Sequence, residues 1–250
     1  MFALQPGAAG AALAEFATTL QRPQAVLVIS PHWETKVATV STASQLTTIH
    51  DFGGFDPALY AIQYPASGSP EGAQEVVAGL SAAGLPVTTD AERGLDHGAW
   101  VPLRYLFPAA DVPVVPLSIQ HQGGPDHAFR VGQALAPLTE RGWLIVASGN
   151  ITHNLRDWQQ ASRGFGVDVS YAQRFSDWVD AQLSGGQVEA LLHYRDCQPD
   201  AEQAQPRDEQ LLPLFTALGA AGPEARARAI HRGIRDHVIA MDSYAFERAA

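Results

Sequence analysis

Three apolar, largely β-branched runs constrain this chain more than any other feature: AVLVIS at 25–30, VPVVPLSI at 112–119 and WLIVAS at 143–148. None alternates apolar with polar residues, so each reads as a strand covered on both faces. Such strands need helices on both sides of their sheet, and segments of helical spacing lie between the runs. That spacing predicts helices over 11–20, 71–83, 100–106, 126–140, 170–184, 187–193 and 207–219, with further strands at 36–41 and 86–89. The expected fold is a single α/β domain over 1–250, with a central mixed, mostly parallel sheet flanked by helices on both faces. A hydrophobic content of 46% supplies the core for it.

The same composition narrows the function. A formal charge of -10, with only 16 Lys and Arg and no basic run, argues against nucleic acid as a partner, because phosphate binding needs clustered cations. No run of about 18 apolar residues is present, as a membrane span requires, and the N-terminus lacks the basic start of a secretory signal. The lone cysteine, Cys197, rules out an internal disulfide framework or a multi-cysteine metal site and points to a reducing, cytoplasmic setting. Phosphate-loop, dinucleotide, serine-elbow and H-E-x-x-H motifs are all missing.

Histidines carry the remaining signal. Ligands of open α/β sheets bind beyond the carboxyl ends of the strands, and there AVLVIS runs into PHWE with His32, while WLIVAS runs into GNITHN with His153 and Asn154. His50 in TIHDFGGF and His97 in GLDHGAW lie in glycine-punctuated segments, each beside an aspartate. Imidazole is both the commonest neutral metal ligand and the usual general base near neutral pH. One such histidine is as readily a packed side chain, but two on convergent strand ends make a site. His121, His127, His193, His231 and His237 read as packed or surface residues, and Cys197 as an incidental thiol. The long loop over 48–72 is of a length that commonly serves binding or chemistry.

With these residues in view, the chain resembles the class III extradiol ring-cleaving dioxygenases of the subunit-B type, in particular the DOPA-dioxygenase-like group. The resemblance runs through VISPHWET, TIHDFGGFDPALYAIQYPASGSPE, GLDHGAWVPLRYLFPAADVPVVPLSIQ, ASGNITHNLRDW, QPRDEQLLPLFTALGAAG and AMDSYAF, in order. It implies a non-haem Fe(2+) or Zn(2+) site acting on a small catechol-type aromatic and O2. Oxygen enters the ring next to the diol, giving a ring-opened semialdehyde. It further implies that His32 is a metal ligand, that His153 is the catalytic base or an additional ligand, that His97 is a second catalytic residue, and that His50, Asp51 and Asn154 bind substrate, with His97, His50 and Asp51 orienting it or supporting the metal ligands.

Two departures accompany the resemblance. The family usually opens with a strand ending in SHGSP, whose histidine is another ligand, and Met1 aligns with the residue after it. The domain is thus expected to lack that first strand, leaving an open sheet edge and an apolar strip that favour a homodimer. In AQPRDEQLLPL, Gln205 and Gln210 stand where the family has histidines, with Gln210 at an altered ligand position. Glu209, on the start of the helix expected over 207–219, would point roughly 100° away from Gln210 and replace it poorly. Two readings stay open: a metal-dependent dioxygenase, or a catalytically silent or metal-impaired homologue that binds a phenolic ligand or a protein partner.

Overall fold

The computed structural model describes residues 2–248; Met1, where the family's first block would join, lies outside them. The sheet is built from β1 (Val26–Glu34), β2 (Ala38–Ser41), β3 (Val87–Asp90), β4 (Val114–Ile119) and β5 (Leu144–Ala147), in the order β3-β2-β4-β1-β5. β1 pairs in parallel with both β4 and β5, and β2 with β3, while β2 runs antiparallel to β4. The sheet is therefore mixed and mostly parallel, as the apolar runs predict.

Alternation along β1 explains the two layers. Leu27 and Ile29 enter a core with Val76, Leu135, Phe175 and Phe215, whereas Val26 and Val28 enter a second with Tyr64, Trp100 and Leu103. Successive side chains of a strand point to opposite faces, so an unbroken apolar run must be covered twice. The covering helices are α1 (Gly7–Ala17), α2 (Pro57–Tyr60), α3 (Pro70–Ala82), α4 (His97–Leu106), α5 (Gly124–Glu140), α6 (Leu155–Ser162), α7 (Ser170–Gly185), α8 (Val188–Leu192), α9 (Tyr194–Cys197), α10 (Ala201–Ala204) and α11 (Leu212–Ala221). Beyond them lie two antiparallel pairs, β6 (Ala225–His231) with β9 (Ser243–Arg248) and β7 (Ile234–Arg235) with β8 (Ile239–Ala240).

Helices α5 and α11 approach backbone to backbone. A Cβ on Gly132 would lie 2.0 Å from the carbonyl oxygen of Thr216, and one on Gly219 would lie 2.1 Å from that of Phe129. Gly132→Ala gains helix propensity but must push two backbones apart, and overpacking of that kind costs about 1–3 kcal/mol. The expected result is a lower urea midpoint with an unchanged slope; an unaltered midpoint would mean that the helices separate without cost.

The sequence reading needs correction. The helices α2, α6, α9 and α10 and the strands β6 to β9 were not anticipated. The helix expected from residue 207 begins at Leu212, with Pro213 in its first turn, where proline's missing N–H has no intrahelical partner to lose. Glu209 and Gln210 consequently sit in the preceding turn, and the helical angle between them does not apply. At the sheet margin, all four residues of β5 are half-buried, and a cleft of about 870 Å³ runs along this edge toward the carboxyl ends of β1 and β5.

Candidate active site

Three chain segments converge at the end of that cleft. β1 loses its regular pairing with β4 between Ile29 and Glu34, so His32 stands where the ladder is interrupted. Its side chain is 30% exposed, while Pro31 and Trp33 on either side are buried.

α4 delivers His97 against it. Asp96 caps this helix: its buried carboxylate accepts the N–H of Ala99, the hydroxyl of Ser30 and the guanidinium of Arg93, so the first turn of α4 is fastened to β1. Gly98 permits the close approach, since a Cβ there would lie 2.3 Å from Ser30 Oγ and 2.9 Å from His32 Cδ2. The rings of His32 and His97 end 4.1 Å apart between centroids.

Asp51 links the two imidazoles. Its Oδ1 accepts the backbone N–H and the ring Nδ1–H of His97, both at 2.9 Å, and its Oδ2 lies 3.8 Å from Nδ1 of His32. A ring held through Nδ1–H keeps its Nε2 lone pair for other work. Burial alone would raise the Asp51 carboxyl, but the hydrogen bonds from His97 outweigh it and hold the group at about 2. Ligand-capable atoms of His32, Asp51 and His97 all lie within 4.8 Å of one another, the one such trio among the described residues. Two imidazoles and a carboxylate are the donor set of non-haem Fe(II) oxygenases and also suit zinc, so the residues present fit a divalent cation.

The loop after β5 brings His153 into the same cleft. Its backbone N–H donates to the Ala204 carbonyl at 2.8 Å. Gln205 is fully buried, and its amide donates to the carbonyls of Asn150 at 2.7 Å and Ile151 at 2.9 Å. The residue standing at a family histidine position is thus a strap on the His153 loop. Burial chiefly, with repulsion from His32 and His97, lowers the His153 imidazole to about 4. The ring is therefore neutral at pH 7, with a lone pair available as a base. An NMR titration of the metal-free protein is expected to find its midpoint near 4; an ordinary histidine midpoint would show a solvated ring. Burial, followed by the neighbouring His97, lowers His32 as well.

The cleft wall also includes Phe52, Trp100, Leu155, Trp158 and the buried Gln210. A Cβ on Gly149 would lie 2.0 Å from the Gln210 carbonyl oxygen, so the glycine after WLIVAS lets this turn close onto the sheet. None of the three residues expected to bind substrate lines the cleft. His50 bonds the Ile62 carbonyl at 2.9 Å and packs among Phe52, Tyr60 and Trp100. Asn154 is spent capping α6 through the N–H of Asp157 and bonding the Gln203 carbonyl. Asp51 holds His97. Each supports a residue of the site from behind. His121 pairs with Asp208 at 2.7 Å, outside the cleft wall. Sequence reasoning missed Asp96 and Trp158; the Asp-His-Gly order at a helix start was the available signal for the first.

The chain is similar to known proteins over most of its length. The chain is 40% identical over 227 residues to 4,5-DOPA dioxygenase extradiol of Beta vulgaris, covering 90% of this chain and 84% of the relative. It is 43% identical over 208 residues to the protein of the same name from Escherichia coli (strain K12), covering 81% and 74%. A crystal structure of an uncharacterized protein from Escherichia coli K12 matches with a TM-score of 0.78 at 34% identity, over 94% of this chain and 91% of that one. Residues 10–246 match the family described as the catalytic LigB subunit of aromatic ring-opening dioxygenase. With that match spanning β1 to the last strand, the chain belongs to the LigB family of extradiol dioxygenases.

Proposed function

We propose that the cleft binds a small catechol at an Fe(2+) or Zn(2+) ion anchored on His32, with Asp51 and His97 close enough to complete its donors, and that His153 is the base. The observation that carries this reading is the convergence of three histidines from separate segments on a single cleft, with the Asp51 carboxylate set behind His32 and His97. When bound, the ion supplies a Lewis acid for the two catechol oxygens and a place for O2. The chain's own residues do the rest. His153 stands in the same cleft as His32 and His97 and is neutral at pH 7, so it takes a phenolic proton without first having to lose one. Phe52 meets the His97 ring edge-on at 5.5 Å and, with Trp100, gives the aromatic substrate an apolar wall. Oxygen insertion next to the diol then yields the ring-opened semialdehyde, in the cytoplasmic setting that the single free Cys197 supports.

Supplying the Fe(2+)-loaded protein with catechol in air is expected to raise the visible absorbance of a semialdehyde, and a chelator is expected to prevent it. A folded, metal-bearing protein that leaves catechol intact would contradict the reading.

Gln210 favours one second reading, a homologue that binds phenols without turnover, because an amide oxygen is a weaker donor than imidazole to a first-row ion. Gln210→His is expected to raise metal affinity by at least about tenfold, the scale on which even outer partners of ligands act. Calorimetry showing unchanged affinity would place residue 210 away from the ion.

A further inference from the structure

α6 carries an apolar face that the core does not use. Among its residues only Asp157 is buried, while Leu155 and Trp158, three apart and therefore on one side of the helix, line the cleft with 54% and 36% of their surfaces exposed. Across the loop over 48–72, Phe55 lines the same cleft at 44% exposure and packs edge-on against Phe52 at 5.8 Å. Three large apolar side chains left half in water cost solvation unless something covers them. They share one cleft with His32, His97 and His153, and α6 begins two residues after His153, behind its Asn154 cap, so a molecule held at those histidines reaches them.

The charges of the same wall define that occupant further. Among the described residues, the cation lining the cleft besides histidine is Arg235, and it bonds the Gln5 carbonyl at 2.8 Å and stands 3.5 Å from Asp236. The carboxylates of the wall are engaged likewise: Asp242 receives Ser176 and the Gly233 N–H, and Glu247 receives Arg228. A substituent bearing its own carboxylate and ammonium would bring charge to a wall whose Arg235, Asp242 and Glu247 already have protein partners.

We infer that Phe55, Leu155 and Trp158 form a specificity rim that selects catechols carrying an uncharged, apolar ring substituent over catechols carrying an amino-acid side chain. The inference rests on the catechol reading above and adds the substrate class. The rim leaves the chemistry at the diol untouched and acts through the part of the substrate remote from it.

Calorimetric titration of the Zn(2+)-loaded protein with catechol, 4-propylcatechol and 3,4-dihydroxyphenylalanine tests it without turnover. Propylcatechol is expected to bind at least roughly tenfold tighter than either other probe, the scale on which apolar pockets discriminate small groups. In Trp158→Ala and Leu155→Ser, each checked for folding by circular dichroism, the ratio of propylcatechol to catechol affinity is expected to collapse toward one. Dihydroxyphenylalanine binding as tightly as propylcatechol, or a ratio unmoved in both variants, would overturn the rim while leaving the catechol reading standing. If none of the three probes binds the folded, metal-loaded protein, the catechol reading falls and the rim with it.

Discussion

His153→Ala is expected to slow ring opening by about 10²–10⁴-fold, the usual contribution of a positioned general base, while the protein keeps its metal. The imidazole lies in the cleft lining, outside the His32, Asp51 and His97 trio, so removing it takes away a proton acceptor and not an anchor. Its backbone is fixed independently of its ring by the Ala204 carbonyl and the buried Gln205 amide. The loop is therefore retained in the variant. Steady-state oxygen uptake with metal counted on the same sample distinguishes the outcomes. Activity lost together with metal would make His153 a ligand, and activity retained would remove it from the chemistry.

His32→Ala carries the second large effect, a loss of metal affinity of more than about a hundredfold, beyond what outer partners of a ligand cost. His32 is the residue against which the others are arranged: Asp51 Oδ2 faces its Nδ1 at 3.8 Å, the His97 ring lies 4.1 Å away, and Gly98 clears the space beside it. Without this imidazole the trio is reduced to one histidine and one carboxylate already hydrogen-bonded to each other. Such a pair is a poor cage for an ion that prefers three or more donors. Inductively coupled plasma measurements on dialysed protein are expected to find metal in the wild type and in His153→Ala but not in His32→Ala. Full metal content in His32→Ala would place the ion elsewhere.

Much of this architecture was legible in the residues. The unbroken apolar runs specify β1 and β4 because a strand buried on both faces leaves no polar position to blur the signal, whereas β5, expected to be covered likewise, is a half-buried strand at the sheet margin. The convergence of His32 and His153 follows from the parallel pairing of β1 with β5, which puts their carboxyl ends at the same edge. What was not legible depended on tertiary partners. His50 and Asn154 carry the chemistry of binding residues, yet the Ile62 carbonyl and the α6 N-terminus claim them, and neither partner is visible from local spacing. α6 has a strong apolar-polar division but only eight residues, too short to stand out from loop sequence. β6 was missed although ARARAI alternates small apolar residues with arginine, because the run is short and its apolar positions are mostly alanine. Gln205 shows the limit most clearly: it read only as a departure from an expected histidine, and the fold uses its amide to strap the His153 loop.

The most direct test of the central claim follows both oxygen atoms. The protein is loaded anaerobically with Fe(2+), its metal is counted per chain, and it is mixed with catechol under oxygen-18 gas before mass spectrometry of the product. A LigB-family dioxygenase built around His32 and His153 is expected to consume one O2 per catechol and to leave heavy oxygen on both new ends of the opened ring, allowing for exchange of the aldehyde with water. A folded protein that holds iron, binds catechol and incorporates no heavy oxygen would contradict the account.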